Sequence, residues 1–569
     1  MRTDTLGRYT WLFLLIVSCV MFLPWLGETL FNTKGEPREA IVAVAMLKTG
    51  NWILPVSFGT DIPYKPPFLA WCISACSLIT GGVDEYSSRL PSAIATIAIV
   101  MTIYGWMRRN GISRLAAFST GIVFISSIEV WRAASACRVD MVLTACMVGA
   151  MVSMFNFIER RRRYLPLLAI LLMTCAVLTK GPVGMLLPCL CGGVYGLLRG
   201  RRFWGLFFRF LVAGLLSCIL PALWYIAAYS QGGETFLDLA MEENFGRFTG
   251  TMSYASHENP FWYNFQTVFL GMLPYTILAL MALSAVKWKG SGQRLTPVTE
   301  KLCSAWKKFL TLDPITMFSI TVTVLIFVFY CIPKSKRSVY LLPIYPFLAY
   351  FIVMLAGWIK SRKPRLVEWF ARIVAGLAVI VPSLYILIKL VNLPESLIYR
   401  LGHNAALITG IAESASPFWI YPVLAIPFIG GIVVFRNRIE PRRIFMATSL
   451  TVSAILLSLS AVILPPMLSA KSDKYIAEEI QRIQPQGNVY MFIDDPMLRF
   501  YTVNFYLGDR ILLLGSDSTR EGILLTGEFD LPALHEKYDE DYRFEALKSW
   551  GLRSCDTRRP VVMLRFSRK

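Results

Sequence analysis

Charge is scarce in this sequence, and acidic charge is scarcer still. Of 569 residues, 17% are Asp, Glu, Lys or Arg, and 37 acidic residues face 57 basic ones. Soluble domains carry about 25% charged residues, so this composition cannot cover an ordinary water-facing surface. Histidine is almost missing, with three copies, which leaves little material for a multi-histidine metal centre. The 12 cysteines include no C-x-x-C pair, so neither a zinc ribbon nor a dithiol redox motif is indicated. No P-loop and no G-x-G-x-x-G occurs, which removes the usual nucleotide-binding signatures.

What remains is apolar: 55% of the residues are hydrophobic. They fall in repeated runs of roughly 18 to 22, the length that spans a ~30 Å hydrocarbon core at 1.5 Å per residue. Barrel strands would alternate with period two instead. Most cysteines lie in or beside these runs, where Cys acts as a small hydrophobe. The expected class is therefore an all-α polytopic membrane protein. The net charge of +20 does not signal nucleic acid. It sits in short loops, "RRRR" (160–163), "RGRR" (199–202), "KSRKPR" (360–365) and "RNRIEPRR" (436–443), the positive-inside pattern of cytoplasmic loops.

The run from Trp11 to Leu26 follows Arg2 and Arg8 and lacks a clear small-residue cleavage site. It reads as a retained first helix with its N-terminus inside. Further spans are expected near 89–107, 114–130, 140–158, 164–179, 182–198, 205–228, 262–286, 314–332, 338–358, 371–391, 417–435 and 444–465, about thirteen in all. The run at 67–80 is too short for a comfortable crossing. Only an odd number of crossings fits between residue 28 outside and Arg108, Arg109 and Arg114 inside, which makes 67–80 an interfacial or re-entrant element of a first outer loop, 28–88. The membrane domain is expected over 1–465. The polar tail, 466–569, reads as a small outer α/β domain. Its strands are expected in "GNVYMFID", "RFYTVNFYLG", "RILLLG", "GILLTG" and "RPVVMLRF", and a helix in "KSDKYIAEEIQRIQPQG".

The charges left on the outer side are few and specific. In "NTKGEPREAIVAVAMLKTGNWILP" (32–55), Pro37 suits a first helical turn, so Glu36 sits at a helix N-terminus whose dipole favours a carboxylate. That makes it a capping acid, an ionised base or a metal ligand. "TDIPYKPPFLAW" (60–71) holds Lys65, "SACRVDMVLT" (135–144) holds Arg138 and Asp140, and "VLTKGPVG" (177–184) holds Lys180 in an outer turn. His257 in "HENPFWY" is a further candidate metal ligand, and a divalent metal is the only cofactor the residues leave open. "KSKRSVYLLPIYP" (334–346) breaks the charge rule, because parity puts Lys334, Lys336 and Arg337 outside. A lipid phosphate at the membrane surface would explain them. Together these features suit an enzyme that takes a membrane-borne, anionic, preactivated donor such as a polyprenyl-phosphate sugar. Cations would stabilise the leaving phosphate, and a carboxylate would take the acceptor's proton.

An acid opening an outer helix, then "MLKTGNWILP", "YKPPFLAW", "SRLPSA", "RVD", "TKGPVG", "HENPFWY" and "KSKRSVYLLPIYP", in this order, resembles the bacterial GT-C glycosyltransferases. The nearest pattern is that of the lipid A aminoarabinose transferases within the protein O-mannosyltransferase superfamily. The resemblance covers roughly residues 10–350. It implies thirteen transmembrane helices with interfacial helices in the first outer loop, a C-terminal periplasmic domain, and an inner-membrane location with the active site on the periplasmic side. It implies inverting transfer from an undecaprenyl-phosphate sugar to lipid A or a related glycolipid, with no nucleic-acid partner. Glu36 and Asp140 then fall in the catalytic acidic motifs. Lys65, Lys334, Lys336, Arg337 and Tyr340 fall in the donor-phosphate segments, and Arg38, Tyr64, Arg138, Lys180 and Arg247 line the pocket. Two positions depart from the family: Gly35-Glu36 replaces Asp-Glu, so Glu36 would do the work of both, and Tyr64 replaces a Glu before Lys-Pro-Pro. A protein hydroxyl or another glycan is the alternative acceptor. A lipid-linked-sugar flippase is the alternative class, but it would place charged or broken helices at mid-membrane in repeated halves, and the charges here cluster in outer loops.

Overall fold

A computed structural model describes residues 9–63, 65–162, 164–246, 258–286, 298–391, 394, 400, 405–436 and 441–569. Tyr64, Arg247 and His257 lie outside the described residues.

The chain is a helical membrane bundle followed by an α/β unit. Its first ten helices are α1 Thr10–Phe22, α2 Pro37–Thr49, α3 Phe68–Thr80, α4 Glu85–Arg109, α5 Arg114–Ile125, α6 Ile128–Ala134, α7 Val139–Glu159, α8 Leu167–Lys180, α9 Val183–Leu198 and α10 Phe203–Met241. Local chemistry sets the ends. Pro37 opens α2, where its missing N–H costs nothing. Gly50, at φ +72°, closes it in a left-handed turn, donating its N–H to Met46 O. Asp84 caps α4 reciprocally: its carboxylate accepts the Ser87 N–H at 2.7 Å, and its own N–H donates to Ser87 Oγ at 2.9 Å.

Among the described residues, seven helices are long and apolar enough to cross a membrane, or nine when each of two bent pairs counts as one span. A count of thirteen needs as crossings four of the five shorter apolar helices, all except Phe68–Thr80. α3 is 13 residues long and packs between α2 and α4. Two expected spans are not straight. The segment 114–130 bends by 69° between α5 and α6, and 262–286 divides into Tyr263–Gly271 and Tyr275–Leu283, bent by 109°. Pro274, at the second break, has no N–H to donate to the preceding turn.

The tail forms a five-stranded sheet, β1 Val489–Phe492, β2 Ile511–Leu513, β3 Glu521–Gly527, β4 Tyr542–Arg553 and β5 Pro560–Arg568, in the order β2-β1-β3-β5-β4. β1 runs parallel to β2 and β3, while β5 is antiparallel to β3 and β4. Alternate residues of β1 serve two cores. Val489 and Met491 pack with Ile476 and Ile480 of the helix Lys474–Ile483, and Tyr490 and Phe492 pack with Leu534 of Leu531–Tyr538.

Two strand expectations change. "RFYTVNFYLG" is helical over Tyr501–Tyr506, because its apolar side chains pack two ways: Phe500 and Val503 enter the sheet core, and Phe505 meets Phe31 and α2. β4 was not anticipated. Its sequence, YRFEALKSWGLR, is largely exposed and carries little apolar alternation.

The α/β unit docks on the loop that carries α2. Phe58, fully buried, enters its core, and Lys48 Nζ donates to Asp509 O at 2.6 Å. Arg499 pairs with Asp61 at 3.0 Å. The Tyr506 hydroxyl donates to Glu85 at 2.5 Å and accepts the Phe31 N–H at 3.1 Å.

Candidate active site

Helix pairing brings distant charges to one end of the bundle. α7 and α8 form an antiparallel hairpin, so the first turn of α7 and the last turn of α8 share an end. The starts of α2 and α4 join them. Three carboxylates collect there, each held by a cation.

Glu36 is gripped by Arg89. Arg89 Nε donates to Oε1 at 2.8 Å and Nη2 to Oε2 at 3.1 Å, while the Cys137 N–H adds a third bond to Oε1 at 2.9 Å. The remaining Arg89 nitrogen, Nη1, donates to Leu26 O at 2.7 Å and Thr29 O at 2.6 Å. The pair is deeply buried, with side-chain exposures of 12% for Glu36 and 4% for Arg89. Burial pushes the Glu36 carboxyl up, but the Arg89 guanidinium and the bonds from Arg89 and Cys137 outweigh it and hold it below the ordinary glutamate value.

One turn along α2, Glu39 pairs with Lys65, with Arg38 3.9 Å away. Burial raises the Glu39 carboxyl too, and the charges of Lys65 and Arg38 bring it net below its ordinary value. Among the described residues, Glu39 Oε2 accepts no hydrogen bond. Glu39, Arg38 and Lys65 line a cavity of about 280 Å³ walled by Trp224 and by Tyr501 of the α/β unit. Glu36, Arg89, Arg132 and Arg138 line a second cavity of about 360 Å³.

Asp140, in the first turn of α7, accepts from Lys180 Nζ at 2.5 Å. Lys180 also sits 4.3 Å above the Tyr340 ring, which packs 5.4 Å from Tyr330. Lys180 therefore ends α8 rather than standing in a turn, and it joins the acidic site to the 334–346 segment. Arg138 lies among the carboxylates and acts electrostatically on Glu36, Glu39 and Asp140.

The 334–337 cluster splits. Lys336 is 5% exposed, and its ammonium donates to Asn259 O at 3.2 Å and Pro333 O at 2.5 Å. It staples its loop to 258–259, where Glu258 and Ser335 form a bridge and Asn259 Nδ2 returns a bond to Lys336 O at 3.1 Å. Lys334 is exposed and Arg337 half-buried.

Sequence reasoning missed Glu39 and Arg89. Both had a signal: Glu39 lies one turn beyond Glu36 on the same helix, and Arg89 is a charge at the very start of an apolar span, where an ionisable residue needs a partner.

The described residues do not favour a metal here. All three carboxylates already face cations, which leaves no carboxylate pair for an ion. Among the described residues, the group with metal-ligand spacing is Asp473, Cys555 and Asp556, in the α/β unit.

Residues 64–225 match the family model for dolichyl-phosphate-mannose-protein mannosyltransferase. The chain is 26% identical to an uncharacterized protein of Aquifex aeolicus over 98% of its own length and 97% of that protein. It is 26% identical to the undecaprenyl phosphate-alpha-4-amino-4-deoxy-L-arabinose arabinosyl transferase 2 of Proteus mirabilis, over 56% of this chain and 54% of that one. The chain thus spans about half the length of that named relative. The crystal structure of ArnT from Cupriavidus metallidurans bound to undecaprenyl phosphate shares the fold, with a TM-score of 0.66 over 98% of both chains at 20% identity. Shared fold, matched segment and relatives together make this multi-pass membrane protein similar to the GT-C glycosyltransferases, among them the aminoarabinose transferases and the protein mannosyltransferases.

Proposed function

We propose that the protein transfers a sugar from undecaprenyl phosphate, or a closely related polyprenyl phosphate, to a hydroxyl of lipid A or a related glycolipid, at the periplasmic face of the bacterial inner membrane. The observation that carries this reading is the meeting, at one end of the bundle, of three buried carboxylate–cation pairs, Glu36–Arg89, Glu39–Lys65 and Asp140–Lys180. Phosphate departure needs fixed cations where negative charge develops. Lys65 and, from the 334–346 segment, Lys334 and Arg337 beside Tyr340 supply that face. Lys336 keeps the segment in register. The acceptor oxygen attacks the anomeric carbon from the side opposite the phosphate and inverts it. A carboxylate takes the hydroxyl proton, and the phosphate leaves with the bonding electron pair. Asp140, oriented by Lys180, positions the acceptor.

The test is a deletion strain analysed by mass spectrometry. The expected result is accumulation of one undecaprenyl-phosphate sugar and loss of that sugar from lipid A. Loss from periplasmic proteins with lipid A unchanged would move the acceptor to protein, and no accumulated lipid-linked sugar would refute the reading.

A further inference from the structure

Position 35 carries glycine, and the room a side chain would take there is already filled. An ideal Cβ on residue 35 would lie 2.0 Å from Arg138 Nη2. The neighbouring Glu36 cannot stand in as a proton acceptor, because both its oxygens are committed to Arg89 and the Cys137 N–H. Asp140 is bound to Lys180 and, like Glu36, does not line the cavity walled by Tyr501 and Trp224. Asp61 and Glu39 both line it; both Asp61 oxygens accept from Arg499, at 3.0 and 3.3 Å, whereas Glu39 has one oxygen against Lys65 and the other without a hydrogen bond among the described residues.

We propose that Glu39 is the proton acceptor of the transfer reaction and that Lys65 controls it: without donor Lys65 covers the Glu39 carboxylate, and the donor phosphate uncovers it by drawing the ammonium away. This rests on the glycosyl-transfer reading above. Lys65 has two competing anionic partners, Glu39 and the phosphate, and a single ammonium cannot fully serve both. Once it turns to the phosphate, Glu39 keeps its burial but loses its nearest counter-charge. Burial already pushes that carboxyl up, so its basicity rises when the donor is in place. The acceptor O–H then breaks, its proton passes to Glu39, the oxygen bonds the anomeric carbon, and the sugar–phosphate C–O bond breaks with its electrons on the phosphate. The proton leaves to water with the product. This order also protects the activated donor, since the base is unmasked only after the phosphate is anchored.

The test uses full-length protein in nanodiscs. Undecaprenyl phosphate is the binding probe, and the lipid-linked sugar from the deletion strain is the substrate. Glu39→Gln is expected to lower kcat by about 10²–10⁴-fold, the usual contribution of a general base, and to remove the acid limb of the pH–rate profile. It should bind undecaprenyl phosphate at least as tightly as the unmodified protein, because Lys65 has lost its competitor. Glu39→Asp should retain part of the rate. A Glu39→Gln kcat within about threefold of normal would overturn the base assignment. Binding weakened tenfold or more would overturn the control by Lys65 and leave Glu39 a structural partner. If Glu39→Gln fails to fold, Glu39→Asp decides the matter, and an unshifted acid limb in that variant overturns the proposal. Unmodified protein that turns over no lipid-linked sugar refutes the glycosyl-transfer reading instead, and the binding comparison still reports on Lys65.

Discussion

Replacing Arg89 by Met should unfold the site rather than merely slow it. The change removes two charge-assisted bonds to Glu36, at 2.8 and 3.1 Å, and two to the Leu26 and Thr29 carbonyls. It leaves the Glu36 anion, 12% exposed, with the Cys137 N–H as its remaining hydrogen-bond donor among the described residues. At an effective dielectric constant of about 20, charges about 4 Å apart interact by about 4 kcal/mol. Removing one partner of a buried pair costs about 3–5 kcal/mol, so the two routes agree. Glu36→Gln should cost a similar amount, because it strands the guanidinium. The double variant Glu36→Gln/Arg89→Met should recover most of the loss, giving a coupling of about 2 kcal/mol or more. The assay is thermal unfolding of the purified protein in one detergent for all four members of the cycle, with transfer activity measured per folded molecule. The stabilisation should also carry a pH signature. The Glu36 carboxyl is held below its ordinary value in the folded protein. Its stabilisation is therefore fully present above the ordinary glutamate range near 4.3 and is lost as pH falls below it through the folded value. Single variants that each cost less than about 1 kcal/mol, or that add without coupling, would refute the structural role. Glu36→Gln that folds normally yet abolishes transfer would return the base to Glu36.

Three further outcomes are expected. Gly35→Asp should restore part of the transfer lost in Glu39→Gln, because it puts a carboxylate beside Arg138, whose flexible guanidinium can move aside; a folded double variant with no recovered turnover would count against that equivalence. Lys180→Met leaves the buried Asp140 without its 2.5 Å partner, so the melting temperature should fall in line with about 3–5 kcal/mol; Asp140→Asn/Lys180→Met should recover stability without transfer. In the α/β unit, burial and the neighbouring Asp473 push the Asp556 carboxyl up to about 8. The folded state therefore holds a proton the unfolded chain has released, and stability should fall as pH rises from about 4 toward 8. Asp556→Asn should flatten that dependence in a fluorescence melt, and an unchanged slope would dismiss the carboxyl as its source.

Much of the protein is legible from local order. Apolar runs and charge placement specify a polytopic helical bundle, because hydrocarbon admits a long backbone only as helix or closed barrel. The sequence places Lys65, Asp140 and Lys180 among the charges of one face, and Pro37 marks the start of the helix that carries Glu36. It could not say which carboxylate is engaged and which is open. That depends on Arg89, 53 residues beyond Glu36, and no local pattern encodes a partner at such separation. The bends at 126–127 and near Pro274 and the helical turn of Tyr501–Tyr506 were likewise settled by packing, since an apolar segment carries no sign of which neighbour will cover it. The same holds at Gly35, where the sequence records a missing side chain and only the tertiary structure shows that Arg138 occupies its place, while of the two carboxylates on the cavity wall Asp61 is held by Arg499 and Glu39 faces Lys65.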